Sequence, residues 1–193
     1  MRPEVLNTGY PLRARLIFGL IKIITRHPLP DAAKINFYRP DFYGAPMGRL
    51  TQQVMRGPSG WSVGDRELMA AYISRVNGSA FCTGAHTATA TGAFGDHGLV
   101  AQTLDDLDSA PIREPLRAML RLLGMITRGE PITADDVGTV LATGATRTQL
   151  EDALAVCFAF NVINRLADAF DFARLTPEGY ASGANHLLRR GYQ

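Results

Sequence analysis

A thiol and an imidazole four residues apart, Cys82 and His86, carry the strongest chemical signal in this sequence. On a helix, residues i and i+4 share a face, so the two side chains can approach. With Ser79 as N-cap, Cys82 becomes the third residue of the helix, inside the turn that holds the positive end of the helix dipole. A thiolate is favoured there, and a neighbouring imidazole can take the thiol proton. The pattern describes a cysteine nucleophile served by a base. Glu67 opens the preceding helical segment, and an antiparallel hairpin of the two helices would bring its carboxylate toward His86.

Other readings of the same residues stay open at this point. A free cysteine is also a small buried hydrophobe, and a Cys and a His at this spacing occur by chance in many helices. A Cys–His metal pair would need more ligands. His27, His97 and His186 are the remaining histidines and there is no C-x-x-C, so no metal site is expected. Cys157, flanked by Val156, Phe158 and Phe160, reads as a core residue of a long helix, with pairing to Cys82 as the sharper alternative. Asn161, Asn164 and Arg165 are polar groups on that apolar helix and require hydrogen-bond partners if buried. Phe37, Tyr38, Phe42 and Tyr43 read as cover for a core or as the lining of an entrance. Trp61 reads as a packing residue, and His97 as an exposed turn residue.

The elements that must position these groups are helical, since no segment alternates cleanly between polar and apolar residues. A first helix is expected from about Leu12 to Thr25, closed by His27-Pro28 and Pro30. A loop rich in aromatics and prolines follows over residues 35–46, then a short helix from about Met47 to Met55. Ser62 with Asp65 starts the helix that carries Glu67, with Leu68, Met69, Tyr72, Ile73 and Val76 as its apolar stripe. Asn77-Gly78 ends it, and the Cys82 helix runs from Ser79 to about Ala93. Further helices are expected near Leu99–Leu107, from Pro111 to Thr127 with Leu116, Met119, Leu120 and Leu123 inward, and after Thr133. The longest starts at the Thr146/Gln149 capping box and runs to about Phe170. The C-terminal tail, with Gly179 and Gly183, reads as only weakly helical. The organisation expected is an N-terminal helical arm (1–34), an all-α bundle (35–175) and a tail (176–193).

Composition bounds the function. The 193 residues are 46% hydrophobic and 20% charged, with a net charge of +2 and no dense Lys/Arg face. That excludes nucleic acid as an expected partner. Two cysteines do not make a disulfide scaffold and fit a reducing cytoplasm. The apolar run from Leu16 to Thr25 is too short to span a bilayer and is interrupted by Lys22. Arg26-His27-Pro28 follows it in place of a signal-peptide cleavage site. It reads as a helix docked on its own fold or on a neighbouring subunit, with attachment to a membrane surface as the alternative.

The segment Glu67…Asn77, Ser79, Cys82, His86 resembles the active-site segment of alkylhydroperoxidase D-like proteins, in the alkylhydroperoxidase D / carboxymuconolactone decarboxylase family. Its pattern is a glutamate followed about a dozen residues later by C-x-x-C-x-x-x-H. The run from Phe160 to Asp168 is similar to the family's long-helix signature, and Phe37 to Gly44 to the lead-in of its peroxidase-related branch. The resemblance covers roughly residues 35–175. It implies an all-α helical bundle that forms homo-oligomers (dimer, trimer or hexamer), with no cofactor. It further implies that Cys82 is the peroxide-attacking thiol and that His86 and Glu67 are its proton relay. The family's resolving cysteine falls at Ser79, which cannot form a disulfide. What remains is a one-cysteine cycle on a small hydroperoxide with an external thiol reductant, resolution by Cys157, or lost peroxidase chemistry. In the last case either Glu67–His86 would act as general acid and base on a small carboxylate, as in carboxymuconolactone decarboxylases, with Arg75 or Arg165 holding it, or the chain would be a non-catalytic helical oligomer that senses oxidation or binds a partner.

Overall fold

A computed structural model describes residues 4–192 and places them in ten α-helices, with no strand among the described residues. After a short 3-10 turn at Glu4–Leu6 come α1 (Leu12–Thr25), α2 (Asp31–Tyr38), a π-helical turn (Pro40–Gly44) and α3 (Ala45–Arg56). Next are α4 (Val63–Val76), α5 (Ala80–Phe94), α6 (His97–Asp105) and α7 (Glu114–Arg128). The chain closes with α8 (Ala134–Ala142), α9 (Arg147–Ala169) and α10 (Pro177–Arg190). Ser62/Asp65, Thr133/Asp136 and Thr146/Gln149 each form both bonds of a capping box, which is why the starts of α4, α8 and α9 were legible.

The core is organised around α4. Leu68, Met69, Ala70, Ala71 and Ile73 are all buried, and α4 packs against α5, α7 and α9. A helix enclosed by neighbours loses its polar face, so α4 is buried nearly all round and not along a single stripe. From α7, Leu116, Met119, Leu120 and Leu123 enter this core as expected. Trp61 is buried at the α4 lead-in and donates Nε1–H to the Gln149 carbonyl at 2.7 Å.

Two stretches depart from expectation. Residues 35–46 are helical, not a loop: α2 runs through Tyr38, Pro40 begins the π-helical turn and Pro46 sits in the first turn of α3. Proline in a first turn forfeits no needed hydrogen bond, so these prolines start elements. Phe37, Tyr38 and Phe42 are exposed and cover no core, while Tyr43 packs edge-on to Phe42 and Phe170.

The tail forms α10, a full helix. Thr176 caps it, Pro177 fits its first turn, and Arg189 and Arg190 face its negative end. Packing on α5 overrides the weak propensity of its glycines. That packing is close at Gly84, where a Cβ would stand 2.5 Å from the Tyr180 ring. Gly84→Ala is expected to cost about 1–3 kcal/mol through overpacking. The checks are the thermal midpoint and amide exchange in α10, which should quicken; an unchanged α10 would show that the ring moves aside freely.

Candidate active site

The α4–α5 hairpin turns at Asn77, Gly78 and Ser79, with Gly78 at φ +72° where a side chain would be strained. The hairpin sets Glu67 Oε2 2.7 Å from His86 Nδ1, with Glu67 fully buried and His86 nearly so. His86 packs edge-on to Phe160 of α9, ring centroids 4.5 Å apart. Cys82 lies one turn before His86 on α5, in a small apolar cluster with Phe81 and Ala167, against which Phe172, Leu175 and Tyr180 pack. No hydrogen bond joins Cys82 to His86 among the described residues.

Two further residues complete the Glu67 environment, and neither was picked out from sequence. Arg56, the last residue of α3, donates Nη2–H to Glu67 Oε1 at 2.7 Å and to the Leu187 carbonyl at 3.2 Å. Tyr192, just past α10, donates its hydroxyl to the same Oε1 at 2.8 Å. The Arg56 guanidinium lies 5.0 Å from the Tyr192 ring centroid. Gly191, at φ +74°, lets the chain turn back so that the Tyr192 N–H reaches Gln52 Oε1 at 2.7 Å. Arg56 before Gly57 carried only the signal of a helix-end cation. Tyr192 carried none, because its role depends on where α10 docks.

The electrostatics follow from these partners. Burial by itself would raise the Glu67 carboxyl, but the hydrogen bond and charge of His86, the Arg56 charge and the Tyr192 hydroxyl hold it below the usual carboxylate range. Burial, then the Glu67 charge, pushes the Tyr192 hydroxyl well above its ordinary value. An ionised Glu67 only accepts, so His86 Nδ1 carries the proton of this hydrogen bond.

Cys82 corrects an expectation. Its place at the start of a helix suggested a favoured thiolate; instead burial pushes the thiol up to about 11, with the Ser79 hydroxyl pulling the other way and the Asp168 carboxylate adding to the rise. The thiol is only 3% exposed, so desolvation outweighs the helix dipole. An unfolded thiol ionises near 9.0, so the fold favours the protonated form. That contribution is fully present below pH 9 and is lost as pH rises toward about 11. The raised Tyr192 hydroxyl acts in the same direction. The Cys82 part is on the order of 2–3 kcal/mol, and Cys82→Ala should flatten the alkaline loss of stability measured by urea unfolding. An equal alkaline loss in both proteins would contradict it.

Ser79 also departs from its expected cap. It occupies the N-cap position of α5 but makes no side-chain cap bond; its hydroxyl donates to Asp168 Oδ1 at 2.7 Å. This is one of three parallel links. Ser74 donates to Asn164 Oδ1 at 3.0 Å, and Asn77 Nδ2 donates to Asn161 Oδ1 at 3.1 Å. Asn161, Asn164 and Asp168 follow helical spacing on one face of α9 and tie the α4–α5 hairpin to it. The polar residues in the Phe160–Asp168 run thus mainly hold the hairpin.

The other candidates lie elsewhere. Cys157 is buried in the main core, accepts from Asn161 Nδ2 at 3.3 Å, and belongs to a different cluster from Cys82; both thiols are free. Arg75 is exposed and pairs with Asp105 at 2.9 Å, and Arg165 is exposed on α9, so neither joins Glu67 and His86. His97 is exposed at the start of α6. No cluster of three or more metal-ligating side chains occurs among the described residues, and none of their helices is long and apolar enough to cross a membrane.

No protein-family model matches the chain, and no curated protein matches it. Solved structures do. An uncharacterized peroxidase-related protein from Silicibacter sp. TM1040 superposes with a TM-score of 0.76 at 22% identity, covering 90% of this chain and 91% of that one. An alkylhydroperoxidase AhpD core structure, an uncharacterized peroxidase-related protein from Ralstonia eutropha JMP134, gives 0.75 at 19% identity, covering 95% of each chain. At these identities the likeness speaks for the fold. The chain therefore has the all-α fold of the alkylhydroperoxidase D core. Within that fold it places a buried carboxylate–imidazole pair one helical turn from a buried thiol.

Proposed function

We propose that this protein is a thiol-dependent oxidoreductase that reduces small hydroperoxides through Cys82. The observation that carries the reading is the buried 2.7 Å Glu67–His86 hydrogen bond one turn from that thiol. His86 Nε2 takes the Cys82 proton as the sulfur attacks the terminal peroxide oxygen, and the Glu67 carboxylate stabilises the imidazolium. An S–O bond forms, the O–O bond breaks, and the alkoxide leaves with the relayed proton as an alcohol. Cys82 becomes a sulfenic acid. Ser79 offers no thiol, so an external thiol condenses with the sulfenic acid and releases water. A second thiol then reduces the mixed disulfide and restores Cys82.

The test is to expose the protein to an organic hydroperoxide and trap sulfenic acid with a 1,3-dione, with mass-spectrometric mapping. Label at Cys82, absent in Cys82→Ser and retained in Cys157→Ser, is the expected result; an unlabelled Cys82 would sink the reading. One observation favours a second reading: Cys82 is held as a neutral thiol, whereas Glu67 and His86 form a buried 2.7 Å hydrogen-bonded pair that does not include it. The pair would then act as acid and base on a small carboxylate, as in carboxymuconolactone decarboxylases. Turnover of a lactone acid that survives Cys82→Ala would select it.

A further inference from the structure

Cys82 meets so little solvent that a reactant needs an opening to reach its sulfur. One side of its cover is the connection between α9 and α10. Phe172 packs edge-on against Phe81, ring centroids 5.4 Å apart, and Leu175 packs on the same cluster. Residues 172–176 belong to no helix. Segments outside helices open locally at lower cost than the elements they join.

This strap is held at two points. At its start, α9 ends in a Schellman turn. The Phe172 N–H donates to the Ala167 carbonyl and the Asp171 N–H to that of Asp168, each at 3.0 Å, with Asp171 at φ +52°. In its middle, the Ala173 N–H donates to Asp31 Oδ2 at 2.8 Å. Asp31 is the first residue of α2 and is buried, and Lys34 donates to its Oδ1 at 3.0 Å. A buried carboxylate 142 positions earlier in the chain thus ties the strap to α2.

Outside the strap lies an open cleft of about 440 Å³. Ala80, Thr83 and Gly84 of α5 line one side of it, and Arg174, Leu175 and Tyr180 the other. Leu175 and Tyr180 are common to the cleft and to the cover of Cys82. Tyr180 is fixed on α10 with its ring against Gly84, whereas Leu175 sits on the strap.

We propose that residues 172–175 are a gate over Cys82, latched by Asp31, and that a small molecule in the cleft reaches the thiol when the latch releases and Leu175 moves out. Closed, the strap shields the sulfur from water; open, it admits the reactant. The gate rests on the reading of Cys82 as the reacting thiol. A reagent that needs no peroxide chemistry keeps the two tests apart.

That reagent is methyl methanethiosulfonate, small and uncharged, applied to the native full chain at constant pH with mass-spectrometric mapping of both thiols. Asp31→Ala leaves the Ala173 N–H without this acceptor. It should speed labelling of Cys82 by about 10–100-fold, the equilibrium worth of a hydrogen bond to a charged group. Asp31→Asn keeps an oxygen acceptor and should fall between Asp31→Ala and the wild type. Leu175→Ala removes the bulk between cleft and thiol and should speed labelling with the latch intact. Cys157, buried in a different cluster, is the internal reference and should keep its wild-type rate. Wild-type labelling of Cys82 in both Asp31→Ala and Leu175→Ala would overturn the gate. So would Cys157 accelerating in step with Cys82, because the thiols would then be reached through general unfolding. Faster labelling of Cys82 alone, with no sulfenic acid on hydroperoxide treatment, would retain the gate and remove the peroxide reading.

Discussion

Arg56→Ala should destabilise the protein by about 3–5 kcal/mol, because it leaves the Glu67 charge buried beside one fewer cation. Glu67 is fully buried and has three side-chain partners, Arg56, His86 and Tyr192. Removing the guanidinium takes away an ion pair, a bond to the Leu187 carbonyl and the cation over the Tyr192 ring. The thermal midpoint should fall by on the order of 10 °C for a chain of this size. The pH dependence identifies the cause. A Glu67 carboxyl held below its ordinary 4.5 contributes stability that is present above that value and lost as pH falls through the depressed one. Arg56→Ala should shrink that acid-dependent part. A double-mutant cycle with Glu67→Gln then isolates the coupling, since a neutral amide has less need of the cation. Losses that add to within about 0.5 kcal/mol would show that the two residues act independently.

His86→Gln should slow oxidation of Cys82 at neutral pH by about 10²–10⁴-fold, the usual worth of a positioned base. The raised thiol makes this prediction sharp. With Cys82 pushed up to about 11, roughly one thiol in 10⁴ is ionised spontaneously at pH 7. A base that takes the proton during attack removes that handicap. The variant's rate should climb about tenfold per pH unit until it approaches pH 11, whereas the wild-type profile should be flatter across the neutral range. Stopped-flow measurement with excess hydroperoxide gives both profiles, and far-ultraviolet circular dichroism checks the fold. Equal rates at pH 7 would mean that His86 is no base for Cys82 and that the 2.7 Å contact with Glu67 is structural.

The two predictions probe different ends of one network. Arg56 and Tyr192 bind Glu67 through Oε1, and His86 binds it through Oε2. The arrangement holds both carboxylate oxygens of Glu67 and fixes its orientation toward His86. Because α10 brings Tyr192 in, the close approach of Gly84 to Tyr180 joins the packing of α5 to the electrostatics of Glu67.

Much of this was legible in the linear chain. Helix starts at Ser62, Thr133 and Thr146 are local events, decided by a side chain that reaches a backbone N–H three residues on. The spacing of Cys82 and His86 and the hairpin that returns Glu67 to them are also short-range, and the structure joins Glu67 to His86 as the hairpin required. Residues 35–46 and the tail misled for a shared reason. Proline and glycine suggest breaks in a helix, but proline is neutral in a first turn, and a weak helix is rescued by a surface to pack on.

What only the tertiary structure decided concerns partners far apart in sequence and the degree of burial. Arg56 and Tyr192 meet at Glu67 because α3 and α10 end beside α4, which no local pattern encodes. Ser79 is linked to Asp168 and does not cap α5, because α9 crosses the hairpin at that point. Above all, Cys82 was expected to be an activated thiolate at a helix start and is instead a neutral, enclosed thiol. Position on a helix is written in the sequence, but desolvation is a property of everything packed around the atom. Here that packing outweighs the dipole.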